Sequence, residues 1–268
     1  SHSVHFPQIT QDDTAFILYT SGTSGKPKGA PLTHGNIVSV LKAGMEWLED
    51  WGAVREKVLG VLPMFHIYGL ALNYALPLSI GAEMVLVPAP KPKLYQAAIT
   101  KTRPTVLPGV PTLYDKIIEW AVESNADLSS IHTSISGAST LPVETIERWE
   151  NATGGRLIEG YGLTETAPIL AGNPLDGTRR PGYIGLPFPN TEIRIADPQD
   201  PSRTMPDGEP GELLARGPQV FSGYLNSPEA NERAFHDGWF RTGDMAVMEP
   251  DGWIKLVARI KEMIITGG

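Results

Sequence analysis

The chain contains no cysteine. Disulfides, thiolate metal sites and a cysteine nucleophile are therefore excluded from its 268 residues, and a reducing compartment suits it. It is also short of positive charge: 22 Lys and Arg against 30 Asp and Glu leave a formal net charge of −8. Nucleic-acid binding needs clustered basic side chains and is not expected. No apolar run reaches the roughly 18–20 residues of a membrane span. Ser1 to Gln8 is short and polar, with no basic-then-apolar signal segment. The sequence reads as a soluble, cytoplasmic protein without a transmembrane segment, whose contact with membranes is peripheral.

What is present is an ordinary globular composition, 41% hydrophobic and 19% charged, in a length that suits one large domain or two smaller ones. Short apolar runs at Ala15–Tyr19, Lys57–Leu62, Glu83–Val87, Thr105–Leu107, Thr133–Ser136 and Arg156–Glu159 read as buried strands. Helical patterns lie between them. In Pro111–Glu123, Leu113, Ile117, Trp120 and Ala121 share one face and Pro111 stands near the start. Strands alternating with helices predict an α/β unit with a mostly parallel sheet and flanking helices over residues 1–182. Beyond Gly182, turn signals crowd together: Pro206-Asp207-Gly208, Glu209-Pro210-Gly211, Asp237-Gly238 and Pro250-Asp251-Gly252. Residues 183–258 are expected to form a small antiparallel, barrel-like β subdomain, interrupted by one helix with Ser227 as N-cap and Pro228 at its first position.

The segment Thr20-Ser21-Gly22-Thr23-Ser24-Gly25-Lys26-Pro27-Lys28-Gly29 follows a strand. Glycines let backbone N–H groups converge on an anion, hydroxyls donate to phosphate oxygens, and lysines offset their charge. It is not a Walker A loop, because only two residues separate Gly22 from Gly25 and Pro27 follows Lys26. Three further segments stand downstream: Gly160-Tyr161-Gly162-Leu163-Thr164-Glu165, Trp239-Phe240-Arg241-Thr242-Gly243-Asp244, and Val257-Ala258-Arg259-Ile260-Lys261-Glu262. Taken alone each is weak. The first is a turn after a strand and lacks the third glycine of a dinucleotide fingerprint; the second reads as a hairpin on a solvated face.

Taken in order, the four segments resemble the motifs of the adenylate-forming superfamily, which comprises acyl-CoA synthetases, luciferase-like enzymes and peptide-synthetase adenylation domains. The resemblance runs from about Asp12 to Gly268. It implies that Thr20, Ser21, Gly22, Thr23, Ser24, Gly25 and Lys26 embrace the ATP β,γ-phosphates. It places Tyr161 and Gly162 against the adenine, Thr164 on the α-phosphate, and Mg²⁺ on Glu165, a single carboxylate being adequate where phosphate oxygens complete the shell. Thr164, Glu165 and Lys26 are the implied catalytic residues. Gly137, Ala138 and Ser139 match the segment beside the adenine and acyl group, Asp244 the ribose ligand, Arg259 the arginine that reaches ribose or α-phosphate, and Lys261 the hinge of the C-terminal lid, whose start would be residues 259–268. Ala258 departs from the Asp that many relatives carry.

Pro63-Met64-Phe65-His66-Ile67-Tyr68-Gly69-Leu70 resembles the aromatic–histidine motif beside the acyl pocket, which implies that His66, with Gly137, contacts the acyl substrate. No acid lies within 63–70 to pair a substrate ammonium, which weakens an amino-acid substrate. The run around Glu159–Pro168, with Ile184–Pro187, Gly217–Val220 and Gly223-Tyr224, looks most like bacterial long-chain fatty-acid–CoA ligases. Val106–Thr112 and Leu70–Leu78 are expected to line a hydrophobic tunnel. The implied function is ATP-dependent activation of a fatty acid to its acyl-adenylate, followed by thioester formation with CoA. Alternatives are delivery to a carrier protein, a luciferase-like oxygenase, and a noncatalytic adenine-nucleotide module. A homodimer is compatible with these features. The family's catalytic lysine belongs to a domain beyond the hinge, and relatives carry over a hundred residues before the phosphate loop. The chain is therefore expected to be part of the N-terminal domain of an acyl-CoA synthetase, with little ligase activity alone.

Overall fold

The structure is a computed structural model in which residues 7–20, 27–48 and 55–259 are described. The phosphate-loop residues Ser21, Gly22, Thr23, Ser24, Gly25 and Lys26 and the hinge residue Lys261 lie outside the described residues.

The chain opens with an antiparallel hairpin of β1 (Thr14–Thr20) and β2 (Lys28–Thr33). Helix α1 (His34–Trp47) follows directly. Its start is fixed by a reciprocal cap: Asn36 N donates to Thr33 Oγ1 at 3.1 Å and Thr33 N to Asn36 Oδ1 at 2.9 Å, which satisfies two otherwise orphaned donors. Asn36 Nδ2 then donates to Pro218 O at 2.8 Å and so ties α1 to a loop 182 residues further on.

The principal sheet has seven strands. Its parallel part is β4 (Glu83–Leu86), β3 (Lys57–Gly60), β5 (Val106–Gly109), β6 (Thr133–Ser136) and β7 (Arg156–Tyr161), in that spatial order. Two short strands, β8 (Ala171–Gly172) and β9 (Leu186–Pro187), continue it antiparallel. Between β3 and β4 runs a helical stretch of three pieces: α2 (Ile67–Gly69), a π-helical turn (Leu70–Ala75) and α3 (Leu76–Ile80). Helices α4 (Pro92–Thr102), α5 (Pro111–Ser124) and α6 (Val143–Thr153) cover one face. There Tyr95, Ile99, Tyr114, Ile117 and Trp149 pack on Leu59, Leu107 and Leu157 to make the main core. Strand residues alternate in direction, so Ile135 and Ile158 face the opposite side.

The second sheet has five strands, all antiparallel: β10 (Glu192–Ala196), β11 (Gly211–Arg216), β12 (Phe235–His236), β13 (Trp239–Met248) and β14 (Ile254–Arg259), with α7 (Pro228–Ala234) leading into β12. Pro228 occupies the first turn of α7, but Ser227 gives no side-chain cap; its Oγ donates to Leu225 O instead. The sheets meet where Ile184 N donates to Ile254 O and Ile254 N to Gly185 O, each at 2.9 Å. Their shared core joins Tyr161, Leu170 and Ile184 to Ile195, Leu213 and Ala246.

Three sequence expectations need correction. Ala15–Tyr19 is a strand but not a buried one: β1 pairs only with β2, and Ile17 and Tyr19 are exposed. Glu83–Val87 forms the sheet's edge strand, with Leu86 half exposed. Val106 and Leu107 are fully buried, Leu107 within the main core, and no residue of 106–112 lines the cavity described next.

Candidate functional site

A cavity of about 460 Å³ opens beyond the carboxyl ends of the parallel strands, where α/β sheets place their ligands. Residues following β6 and β7 form its floor, β13 and β14 one wall, and α1 with the helical stretch 67–80 another.

One end is polar. Thr20, Lys28, His66, Tyr161, Thr164, Glu165, Tyr224, Thr242 and Arg259 line it. Tyr161 ends β7, and its buried hydroxyl donates to Asp244 Oδ2 at 2.6 Å. Burial, and then the Asp244 charge, push this phenol well above its ordinary range, so it stays a donor. Asp244 itself is buried and lies behind the cavity wall. Its Oδ1 accepts from Arg259 Nε at 2.9 Å, because Asp244 and Arg259 stand directly opposite in the β13–β14 register. Both carboxylate oxygens are thus engaged, and each keeps a second lone pair for a further donor.

Glycines shape the floor. A Cβ on Gly162 would fall 1.7 Å from Pro168 O, so no other residue fits there. Gly137 sits against the Tyr68 ring, whose hydroxyl reaches Ile135 O at 2.6 Å. Ala138, at φ 67, holds the left-handed region that side chains avoid. Gly137 and Ala138 line the cavity, whereas Ser139 is exposed and does not.

Glu165 is buried in the 3₁₀ turn Thr164–Thr166, and its Oε1 accepts from the Tyr224 hydroxyl at 2.6 Å. His66 caps its own helix: Nδ1 accepts from Tyr68 N at 3.2 Å. Partial burial lowers its pKa, so the ring is neutral with its proton on Nε2. Glu159, also on the wall, is the most perturbed carboxyl of the site. Desolvation raises it to about 7, against a smaller opposing effect of a backbone hydrogen bond from Leu141.

The other end is apolar. Val40, Leu41, Gly44, Trp47 and Leu48 present one face of α1, opposite Ala71, Leu72 and Leu76. From Val40 to Leu48 the face runs ~12 Å. At its far end Trp47 stacks on Phe188, centroids 4.7 Å apart, and donates from Nε1 to Asn173 O at 3.2 Å. Of the expected tunnel segment 70–78, Ala71, Leu72 and Leu76 reach the cavity.

The structure therefore brings Thr20, His66, Gly137, Ala138, Tyr161, Gly162, Thr164, Glu165 and Arg259 to one cavity, with Asp244 hydrogen-bonded behind it. Sequence reasoning missed the α1 face, Phe188, Glu159 and Tyr224, and counted Lys28 only among the lysines of the phosphate-loop segment. The period of Val40, Leu41, Gly44, Trp47 and Leu48 was the available signal for α1.

Comparison with known proteins finds relatives by sequence and by fold. A family model described as AMP-binding enzyme matches residues 2–225. A long-chain-fatty-acid–CoA ligase of Bacillus subtilis (strain 168) is 41% identical over 265 residues, covering 98% of this chain and 47% of its own length. Among solved structures, the ATP-bound RpMatB–BxBclM chimera B3 superposes with a TM-score of 0.89 at 32% identity, covering 99% of this chain and 52% of that one. A malonyl-CoA ligase ternary product complex with methylmalonyl-CoA and AMP gives 0.84 at 36% identity, covering 96% and 55%. The chain belongs to the AMP-binding enzyme family. It spans about half the length of the curated relatives it matches.

Proposed function

We propose that the whole protein activates a fatty, long-chain carboxylic acid as its acyl-adenylate and passes the acyl group to CoA. The observation that carries this reading is one cavity lined both by hydroxyls, a carboxylate and a guanidinium and by the apolar side chains of α1 and of the helical stretch 67–80. An anionic nucleotide and an apolar acid would meet where the two ends join.

The residues fit the groups the reading needs. Gly162 brings bare backbone to the floor, and Tyr161 supplies a ring face. Among the described residues no cluster of three or more His, Cys, Asp or Glu could hold a metal alone. Mg²⁺ would be held by Glu165 together with phosphate oxygens, where it supplies charge neutralisation. Asp244 and Arg259 would hold the ribose side, and Thr20 would face the phosphates with Ser21, Thr23, Ser24 and Lys26. A carboxylate oxygen of the acid attacks the α-phosphorus and the bond to pyrophosphate breaks. Thr164 and Arg259 stabilise the charge that develops. His66, neutral and donating from Nε2, orients the acid. The CoA thiol then attacks the acyl carbonyl and AMP leaves.

The same reading divides the chain into residues 1–182 for nucleotide and acyl binding, 183–258 as a β subdomain, and 259–268 as a hinge about Lys261. It assigns the complete reaction to the whole protein, with little activity in the 268-residue chain alone. No described helix is long and apolar enough to cross a membrane, and the reading carries a cytoplasmic location, peripheral collection of substrate from membranes, and compatibility with a homodimer.

A pyrophosphate-exchange screen of the whole protein over carboxylic acids of graded length tests it. Exchange that rises with chain length, with thioester formed on adding CoA, is expected. Exchange with amino acids only, or with no acid, would overturn the reading. Exchange without CoA transfer would redirect it to a carrier-protein acceptor.

A further inference from the structure

Tyr224 comes from the loop between β11 and α7, 59 residues after Glu165, and makes the hydrogen bond to its carboxylate. No other described residue hydrogen-bonds that side chain. The loop is firmly set. Tyr224 N donates to Asn231 Oδ1 at 2.7 Å, and Asn231 Nδ2 returns to Tyr224 O at 3.0 Å. Phe221 N donates to Glu165 O, and Leu225 N to Gly29 O, each at 2.9 Å. The Phe221 and Tyr224 rings meet edge to face, centroids 4.8 Å apart. The Lys28 ammonium, on the first residue of β2, sits 4.3 Å from the Tyr224 ring centroid.

Each contact has a direction. The Tyr224 hydroxyl is the donor and the Glu165 carboxylate the acceptor. A carboxylate pinned through one oxygen cannot rotate freely, and its second oxygen takes a defined orientation. The ring face meanwhile attracts Lys28, the lysine nearest the phosphate-loop segment among the described residues.

We propose that Tyr224 is a positioning residue. It orients the Glu165 carboxylate toward a divalent cation and, through Lys28 on its ring, joins that carboxylate to the end of the strand that leaves the phosphate loop. The proposal rests on the reading that Glu165 holds the cation. A phenol that only filled space would be replaceable by phenylalanine; a phenol that orients a ligand would not.

The test is a Mn²⁺ titration of the whole protein with ATP, followed by electron paramagnetic resonance, on the parent, Tyr224→Phe and Glu165→Gln. Partners that orient a metal ligand typically carry about 10–100-fold in affinity. Tyr224→Phe keeps the ring, the Phe221 contact and the Lys28 contact. It should weaken Mn²⁺ binding by about tenfold or more, lower the unfolding midpoint only by what one hydrogen bond to a buried carboxylate contributes, and recover its kcat at raised Mg²⁺. Unchanged Mn²⁺ affinity in Tyr224→Phe, while Glu165→Gln loses it, would overturn the role of Tyr224. Unchanged affinity in Glu165→Gln would overturn the metal role of Glu165 itself, and with it the proposal. Should Tyr224→Phe not fold, Tyr224→His is read in the same way, because it too lacks the phenol hydroxyl; unchanged affinity there overturns the proposal too.

Discussion

The hydroxyl of Tyr161 and the carboxylate of Asp244 form a buried 2.6 Å hydrogen bond that spans 83 residues of chain. Tyr161 ends a strand of the principal sheet and Asp244 lies inside β13 of the second, so one bond joins the two sheets at the cavity. Hydrogen bonds to a charged group contribute about 1.5–3 kcal/mol. Tyr161→Phe should lower stability by about that amount, read from the urea midpoint. Asp244→Ala should cost more, because it also strands the Tyr161 hydroxyl and releases Arg259. Asp244→Ala should further weaken nucleotide binding by calorimetry, whereas Tyr161→Phe should weaken it less.

Gly162 is held by geometry rather than by preference for a turn. An added methyl would occupy the position of Pro168 O, 1.7 Å away, and both are backbone. Overpacking typically costs ~1–3 kcal/mol, and backbone overlap falls at or beyond the upper end. Gly162→Ala should lower the unfolding midpoint by at least that and abolish binding at the polar end. A variant with the parent's midpoint would contradict this geometry.

How much of this was legible in the sequence depended on distance along the chain. The parallel unit and the β-rich second sheet followed from strand–turn patterns, and Thr20, His66, Tyr161, Thr164, Glu165 and Arg259 were singled out by the family resemblance of short contiguous motifs. The α1 stripe was visible as periodicity, but nothing local says whether such a face meets a packed sheet or a cavity. The reverse error occurred at Val106 and Leu107: an apolar run near a motif read as tunnel, yet those side chains are buried in the core. Ile17 and Tyr19 looked buried because the run is apolar, and burial depends on a neighbour that β2 alone does not provide. Tyr224 reaches Glu165 across 59 residues, a contact that only the fold reveals.

Glu159 makes stability depend on pH. Its carboxyl titrates near 4.5 when unfolded and at about 7 when folded, because burial disfavours the charged form. A raised folded pKa stabilises fully below the unfolded value, and that contribution is lost as pH rises through about 7. The difference corresponds to no more than ~3 kcal/mol. Glu159→Gln should remove this slope. Between pH 5 and pH 8 the parent should lose stability relative to the variant, as read by urea unfolding at both values. Parallel profiles would show that Glu159 is ionised freely in the fold.

Gly44 sets the width of the apolar arm. A Cβ there would have only Leu76 Cδ1 as a neighbour, at 3.7 Å, so Gly44→Ala fits without strain. A larger side chain would instead project from α1 into the space between Leu41 and Leu48 on one side and Ala71 and Leu72 on the other. Burying one methylene is worth ~0.8 kcal/mol, or about fourfold in kcat/KM. Gly44→Phe should therefore leave short acids nearly unaffected and lose about fourfold for each methylene it displaces from longer ones. The polar wall is untouched, so ATP affinity should stay at the parent value. An equal loss across all chain lengths would place the acyl chain elsewhere. An unchanged profile would mean that the α1 face does not hold it.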